Sequence, residues 1–169
     1  MTGLIERAEA RARAAHAGQE YSGGDFATEH LARVVATLER FGERDPLLLA
    51  AAWLHDVVED TPVTVAALRE EFGEELATLV WRLTDEDGPT RRDRQTATHA
   101  KIRADARAVR VKLADRLANV ESAQERQSHL VGMYRKEFAQ FRRDLWRRDE
   151  YPELWSALER AVAGTGPRS

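Results

Sequence analysis

The stretch AAWLHDVVEDT, residues 51–61, constrains this chain more than any other. Ala, Trp, Leu and Val flank four ionisable groups, His55, Asp56, Glu59 and Asp60, within six residues. The apolar flanks predict a buried segment, and burying an unpaired charge is expensive. A chain carrying this stretch must either compensate those groups or leave the segment at the surface. Read as a helix from Pro46 to near Asp60, the stretch sets His55 and Glu59 four apart, and Asp56 and Asp60 four apart, within one broad face. Ala50, Ala51, Ala52, Trp53, Leu54, Val57 and Val58 cover much of the remainder. The polar stripe of such a helix faces a cleft, a partner cation or a metal.

The rest of the chain also reads as helix. Residues 4–17 are rich in strong helix formers, and Gly23-Gly24 marks a turn in AGQEYSGGDF. A second helix runs from Asp25 or Phe26 to Phe41, with Leu31, Val34, Val35 and Leu38 on one stripe. Gly42 ends it, and Pro62 follows the helix that begins near Pro46. Thr64 caps a short helix that Phe72 and Gly73 close, and EELATLVWRLTD forms the next. DEDGPTRRDR reads as a polar loop or frayed helix start, followed by helical segments at 94–104, 106–123, 129–148 and 151–163. No strand-period segment is longer than VRVKL, and no linker divides the chain. The expected architecture is one all-α domain over residues 1–163, with 164–169 as a frayed tail.

With 169 residues, 33% charged and 43% hydrophobic, the chain can bury a proper core. A net charge of -3 gives no global basic excess for nucleic acid, which is not expected as a partner. The absence of cysteine excludes disulfides and thiolate metal sites. No run approaches the roughly 20 apolar residues of a membrane span, and the N-terminus lacks a signal-peptide core. These features point to a cytoplasmic protein without a membrane partner; they assign no oligomeric state.

Two further pieces bear on the opening stretch. His30 lies on the preceding helix, and KLADRLANV places Asp115 and Asn119 four apart, with Lys112 on the same side. His30, His55 with Asp56, and Asp115, on three helices, make a mixed nitrogen and oxygen site for a divalent cation. The bland alternatives are a solvated Glu59 and Asp60, a satisfied half-buried His55, and a surface salt bridge for Asp115. His16, His99 and His129 have no carboxylate at ligand spacing and read as ordinary. Arg91, Arg92 and Arg94 read equally well as a solvated basic turn or as a clamp on phosphate oxygens.

With these residues in view, the sequence resembles the HD superfamily of metal-dependent phosphohydrolases, and more closely the hydrolase domain of RelA/SpoT proteins and the small alarmone hydrolases. The resemblance rests on His30, WLHDVVEDTPVT, LREEFGEELATLV and VKLADRLANV, and spans residues 16–122. It implies an HD-type helical bundle and one bound metal, usually manganese. His30, His55, Asp56 and Asp115 match the metal ligands, Glu59 and Asp60 the pair that positions and activates the attacking water, and Asn119 a residue at the substrate end. The implied reaction removes pyrophosphate from the ribose 3′ oxygen of guanosine tetra- or pentaphosphate, without a synthetase domain. The family often reads SGEPYIxHP around its first His. Here SGGDFATEHLA places Leu31 where Pro is usual, and Tyr21 stands where a basic residue stacks on guanine.

An aromatic ring also stacks on a base, so Tyr21 is either a base platform or a half-buried aromatic packed against the first helix. The anionic substrate needs cations besides the metal; Lys112, Arg91, Arg92 and Arg94 are nearest in the motif, with Tyr134, Arg135 and Lys136 in MYRKEF as a second supply. Two rival readings stand beside the alarmone hydrolase. One is an HD phosphohydrolase for another nucleotide, such as a nicotinamide dinucleotide phosphate or a nucleoside monophosphate. The other is a non-catalytic nucleotide-binding module.

Overall fold

Three consecutive alanines, Ala50, Ala51 and Ala52, are wholly buried, which requires helices to approach them closely. They lie on α3 (Pro46–Leu54), started by the Asp45 carboxylate, which accepts the Leu47 N–H at 2.9 Å, and by Pro46 in the first turn. α1 (Leu4–Ala15) packs against α3 and turns its own small residues, Ala8 and Ala12, into the core. This computed structural model describes residues 3–164; the tail expected to fray over 164–169 lies, beyond Gly164, outside the described residues.

Around this pair the chain is almost wholly helical. α2 (Ala32–Arg40) precedes α3, and α4 (Val57–Asp60), α5 (Val65–Phe72), α6 (Glu74–Leu83), α7 (Arg91–Arg103), α8 (Ala106–Glu125), α9 (Leu130–Leu145) and α10 (Pro152–Ala163) follow. Twelve of the twenty residues of α8 are buried, so it is the central helix, with α2, α3, α6, α7, α9 and α10 packed around it. The stripe Leu31, Val34, Val35 and Leu38 is buried as its period requires.

The structure departs from the sequence expectations in three places. The turn at Gly23 is a β-hairpin, β1 (Glu20–Tyr21) pairing antiparallel with β2 (Gly24–Asp25). Its two turn residues, Ser22 and Gly23, both have positive φ (53° and 90°), the conformation that matches strand twist in a two-residue hairpin. The second expected helix opens with a π turn, Ala27–Leu31, before α2. The helix expected over Pro46–Asp60 is broken at His55 and Asp56, with Asp56 at φ -97°, ψ -5°. At Arg91–Arg94, of the two readings open, loop or helix start, the structure takes the helix: the Thr90 hydroxyl accepts the Asp93 N–H at 3.1 Å and caps α7 from Arg91 onward.

Because α1 and α3 meet through small side chains, Ala12→Leu should destabilise the fold by ~1–3 kcal/mol, the usual cost of overpacking. Urea denaturation measures it, and an unchanged midpoint would contradict this close packing.

Candidate metal centre

The local irregularities of the chain aim its site residues. In the π turn the Ala32 N–H reaches back to the Ala27 carbonyl, and the extra residue in that turn brings both His30 and Leu31 inward. At the α3–α4 break, the Ala52 carbonyl accepts from His55 Nδ1 at 2.7 Å. This bond places the ring proton on Nδ1 and leaves the Nε2 lone pair facing inward. The near-bridge conformation of Asp56 turns its carboxylate to the same point. Asp115 arrives from the middle of α8, buried, and is therefore no surface salt bridge.

Four side chains converge. His30 Nε2 and His55 Nε2 lie 3.3 Å apart, and Asp56 Oδ2 is 3.2 Å from each. Asp115 Oδ1 is 3.5 Å from His30 Nε2 and 3.8 Å from His55 Nε2. His30, His55 and Asp56 form the tightest group, with their ligand atoms all within 4.8 Å of one another; Asp115 closes a fourth side.

The electrostatics of this cluster call for a cation. Burial favours the neutral forms of both carboxyls, yet the neighbouring imidazoles hold Asp56 well below the usual carboxylate range, and Lys112 with His55 does the same for Asp115. Burial likewise opposes charge on His55, but Asp56 and Asp115 outweigh it and raise that ring well above the usual histidine value. Two ionised carboxylates in a closed site, with Lys112 Nζ 3.0 Å from Asp115 Oδ2, still attract positive charge. Two imidazole nitrogens and two carboxylate oxygens, with no sulfur, fit a borderline-to-hard divalent ion.

The other expected residues are distributed unevenly around this centre. Glu59 and Asp60 are exposed and diverge: Glu59 Oε2 accepts the Asp85 N–H at 3.1 Å, while Asp60 Oδ2 accepts from Gln19 Nε2 at 3.1 Å. Although its surface is exposed, the protein packed on its inner side excludes enough water, with the Asp85 charge, to raise the Glu59 carboxyl. Asn119 donates to Asp115 Oδ1 at 2.7 Å and accepts the Tyr21 hydroxyl at 2.9 Å. The Tyr21 ring stacks on His30 at 5.2 Å and meets Phe26 edge-on, and its hydroxyl reaches α8. Tyr134 is half-buried, with the Arg116 guanidinium 5.1 Å from its ring. Arg91 is held by Glu137 at 2.6 Å, and Arg94 donates to the Gly88 carbonyl at 3.3 Å. The Arg92 guanidinium is exposed and has no partner among the described residues. Arg135 turns to the Val162 carbonyl on α10.

Two networks escaped sequence reasoning because their members are distant in the chain. Buried Arg116, between the rings of Tyr134 and Phe141, donates to Glu137 at 2.9 Å, and Gln95 donates to the same carboxylate at 3.1 Å. This network joins α7, α8 and α9 beside the cluster. His99, expected to be ordinary, has a carboxylate partner: its Nδ1 is 3.0 Å from Asp144 Oδ2. No local spacing relates residue 116 to 137, or 99 to 144.

Comparison with known proteins decides the family. The sequence matches the family described as HD domain over residues 8–147. The chain is an HD-domain protein. HD domains bind a divalent metal, and the His30–His55–Asp56 group offers this one a place for it. The domain is 37% identical over 118 residues to the guanosine-3′,5′-bis(diphosphate) 3′-pyrophosphohydrolase of Haemophilus influenzae, covering 66% of this chain and 17% of that protein. It is 36% identical over 118 residues to the bifunctional (p)ppGpp synthase/hydrolase SpoT of Escherichia coli K12, covering 66% and 17%. The chain thus spans about a sixth of the length of these curated relatives. A solved structure, described as a metazoan ortholog of SpoT that hydrolyzes ppGpp, superposes with a TM-score of 0.80 at 23% identity, over 98% of this chain and 97% of that one; this likeness is one of fold. No helix among the described residues of the HD domain is long and apolar enough to cross a membrane.

The Glu137 network gives a pH prediction. Burial opposes its ionisation, but Arg91, Arg116 and Gln95 hold the carboxyl at about 2, below the usual 4.5. A depressed pKa contributes stability that is complete above pH 4.5 and is lost as pH falls toward 2. Glu137→Gln should therefore melt below wild type at neutral pH, and the gap should narrow across that window in thermal scans. A gap independent of pH would contradict the network.

Proposed function

We propose that this HD domain is a manganese-dependent hydrolase of guanosine tetra- and pentaphosphate that releases the 3′-pyrophosphate. The observation that carries the reading is the convergence of His30, His55, Asp56 and Asp115 on one point, inside a domain whose relatives bear names with this activity. These four residues would hold the ion. When bound, the cation supplies Lewis-acid chemistry, lowering the pKa of water and polarising the phosphoryl group.

The residues of the chain supply the rest. Water attacks the phosphorus next to the ribose 3′ oxygen, the P–O3′ bond breaks, the 3′ oxygen takes up a proton, and pyrophosphate leaves with the water oxygen. Glu59 accepts the proton of that water. One of its oxygens is anchored by the Asp85 N–H, which leaves Oε1 for this task, and its raised pKa suits a proton acceptor. Asp60, the second carboxylate of the expected pair, is turned away to Gln19, so the proton transfer rests on Glu59 alone. Lys112 is committed to Asp115, so charge for the outer phosphates comes from Arg92, which is unengaged, and from Arg91, which Glu137 presents at the surface. Tyr134 borders the substrate end, and Arg94 braces the loop before α7. This reading places the protein in the cytoplasm, with its nucleotide.

The test is a panel of guanosine tetraphosphate, guanosine pentaphosphate, nicotinamide dinucleotide phosphate and nucleoside monophosphates, incubated with manganese-loaded protein, with products separated by anion exchange. Guanosine diphosphate and pyrophosphate should appear from the tetraphosphate, and chelation should stop the reaction. Glu59→Gln should lower turnover by ~100- to 10,000-fold, the usual cost of a lost general base, while retaining metal. An inert tetraphosphate with another nucleotide cleaved would overturn the substrate, and no cleavage at all would favour a binding module.

A further inference from the structure

Tyr21 is the residue whose surroundings least fit its expected task. A base platform needs a free aromatic face and tolerates an idle hydroxyl. Here one face of the ring lies on His30, at 5.2 Å between centroids and 28° between planes. The hydroxyl donates to Asn119 Oδ1 at 2.9 Å across 98 residues of sequence, and buried Ser122 flanks it on the next turn of α8.

The direction of the bonds carries the argument. Asn119 turns its amide N–H to Asp115 Oδ1, at 2.7 Å, where the carboxylate oxygen accepts it. That choice leaves the Asn119 carbonyl facing Tyr21, where the hydroxyl donates to it. Asp115 sets the orientation of the amide, since a flipped Asn119 would set its carbonyl against the carboxylate, and the tyrosine hydroxyl anchors its far end. Asp115 is pinned at both oxygens, by Asn119 at Oδ1 and by Lys112 at Oδ2 at 3.0 Å, and Oδ1 is the atom nearest the two imidazoles. The same tyrosine steadies the ring plane of His30 from behind. One side chain thus bears on two of the four groups around the centre.

We propose that Tyr21 is a positioning residue of the metal centre, acting on Asp115 through Asn119 and on His30 through its ring, rather than a stacking platform for the substrate base. The proposal rests on the reading that the cluster holds a divalent cation, and it is independent of which nucleotide is cleaved. Hydrogen-bonded partners behind the ligands of a metal set its affinity, and their loss commonly costs 10- to 100-fold.

The experiment measures manganese affinity by chelator competition for wild type, Tyr21→Phe, Asn119→Ala and the double variant, alongside the melting temperature of each metal-free protein. Tyr21→Phe keeps the ring and its stack on His30 and removes only the hydroxyl. It should weaken manganese binding about tenfold while the metal-free melting temperature stays at the wild-type value. Asn119→Ala should weaken binding at least as much, and the double variant no further, because both changes cut one chain. Wild-type manganese affinity in Tyr21→Phe overturns the proposal, as does an additive loss in the double variant. A lowered metal-free melting temperature with unchanged metal affinity assigns Tyr21 to packing and also overturns it. A base platform predicts normal metal affinity in Tyr21→Phe and a raised KM in Tyr21→Leu. A wild-type protein that binds no manganese removes the centre itself, whereas one that binds manganese but leaves guanosine tetraphosphate intact removes only the substrate assignment.

Discussion

Two carboxylates and two imidazoles face one another across 3.2 to 3.8 Å in the interior, and this concentration of charge governs the architecture around it. Burying Asp56 and Asp115 is unfavourable unless positive charge accompanies them. Lys112 provides part of it from within α8. The raised proton affinity of His55 reports the same demand, which a divalent ion held by the four groups would meet. The backbone deviates from regular helix at the positions that feed this point: the π turn at His30 and the break at His55 and Asp56. Each deviation gives up ladder hydrogen bonds. At the break, His55 Nδ1 returns one of them to the Ala52 carbonyl.

The surrounding layer explains how the cluster keeps its shape. α8 is held from most sides by apolar packing, so Asp115 and Asn119 are delivered on a rigid element. The hairpin carrying Tyr21 is tied to the same helix through Arg126, which donates to the Ser22 carbonyl at 2.7 Å and pairs with Glu29 at 2.8 Å. On the opposite wall, Glu137 gathers Arg91, Arg116 and Gln95 and so fixes α7 and α9 against α8. The exposed carboxylates Glu59 and Asp60 follow the cluster on α4, each steadied by one neighbour.

Much of this was legible in the sequence, for identifiable reasons. Helical periodicity and caps gave the all-α architecture, because Pro46, Thr64 and Gly42 act locally. The four groups of the centre could be named because imidazole and carboxylate on apolar helices have few other ways to be compensated. The π turn and the break at His55 were not legible, since each depends on bonds that compete with the regular ladder. The Arg116–Glu137 and His99–Asp144 pairs were missed because tertiary packing alone brings them together. The surroundings of Tyr21 belong to the same class: its hydroxyl finds a partner on α8 that no local spacing announces.

The most direct test of the account is crystallographic. Crystals grown with manganese and measured near its absorption edge locate the ion by anomalous scattering. The account predicts a single strong peak within coordination distance of His30 Nε2, His55 Nε2 and one oxygen each of Asp56 and Asp115. A peak elsewhere, or none between these four groups at saturating manganese, would contradict it.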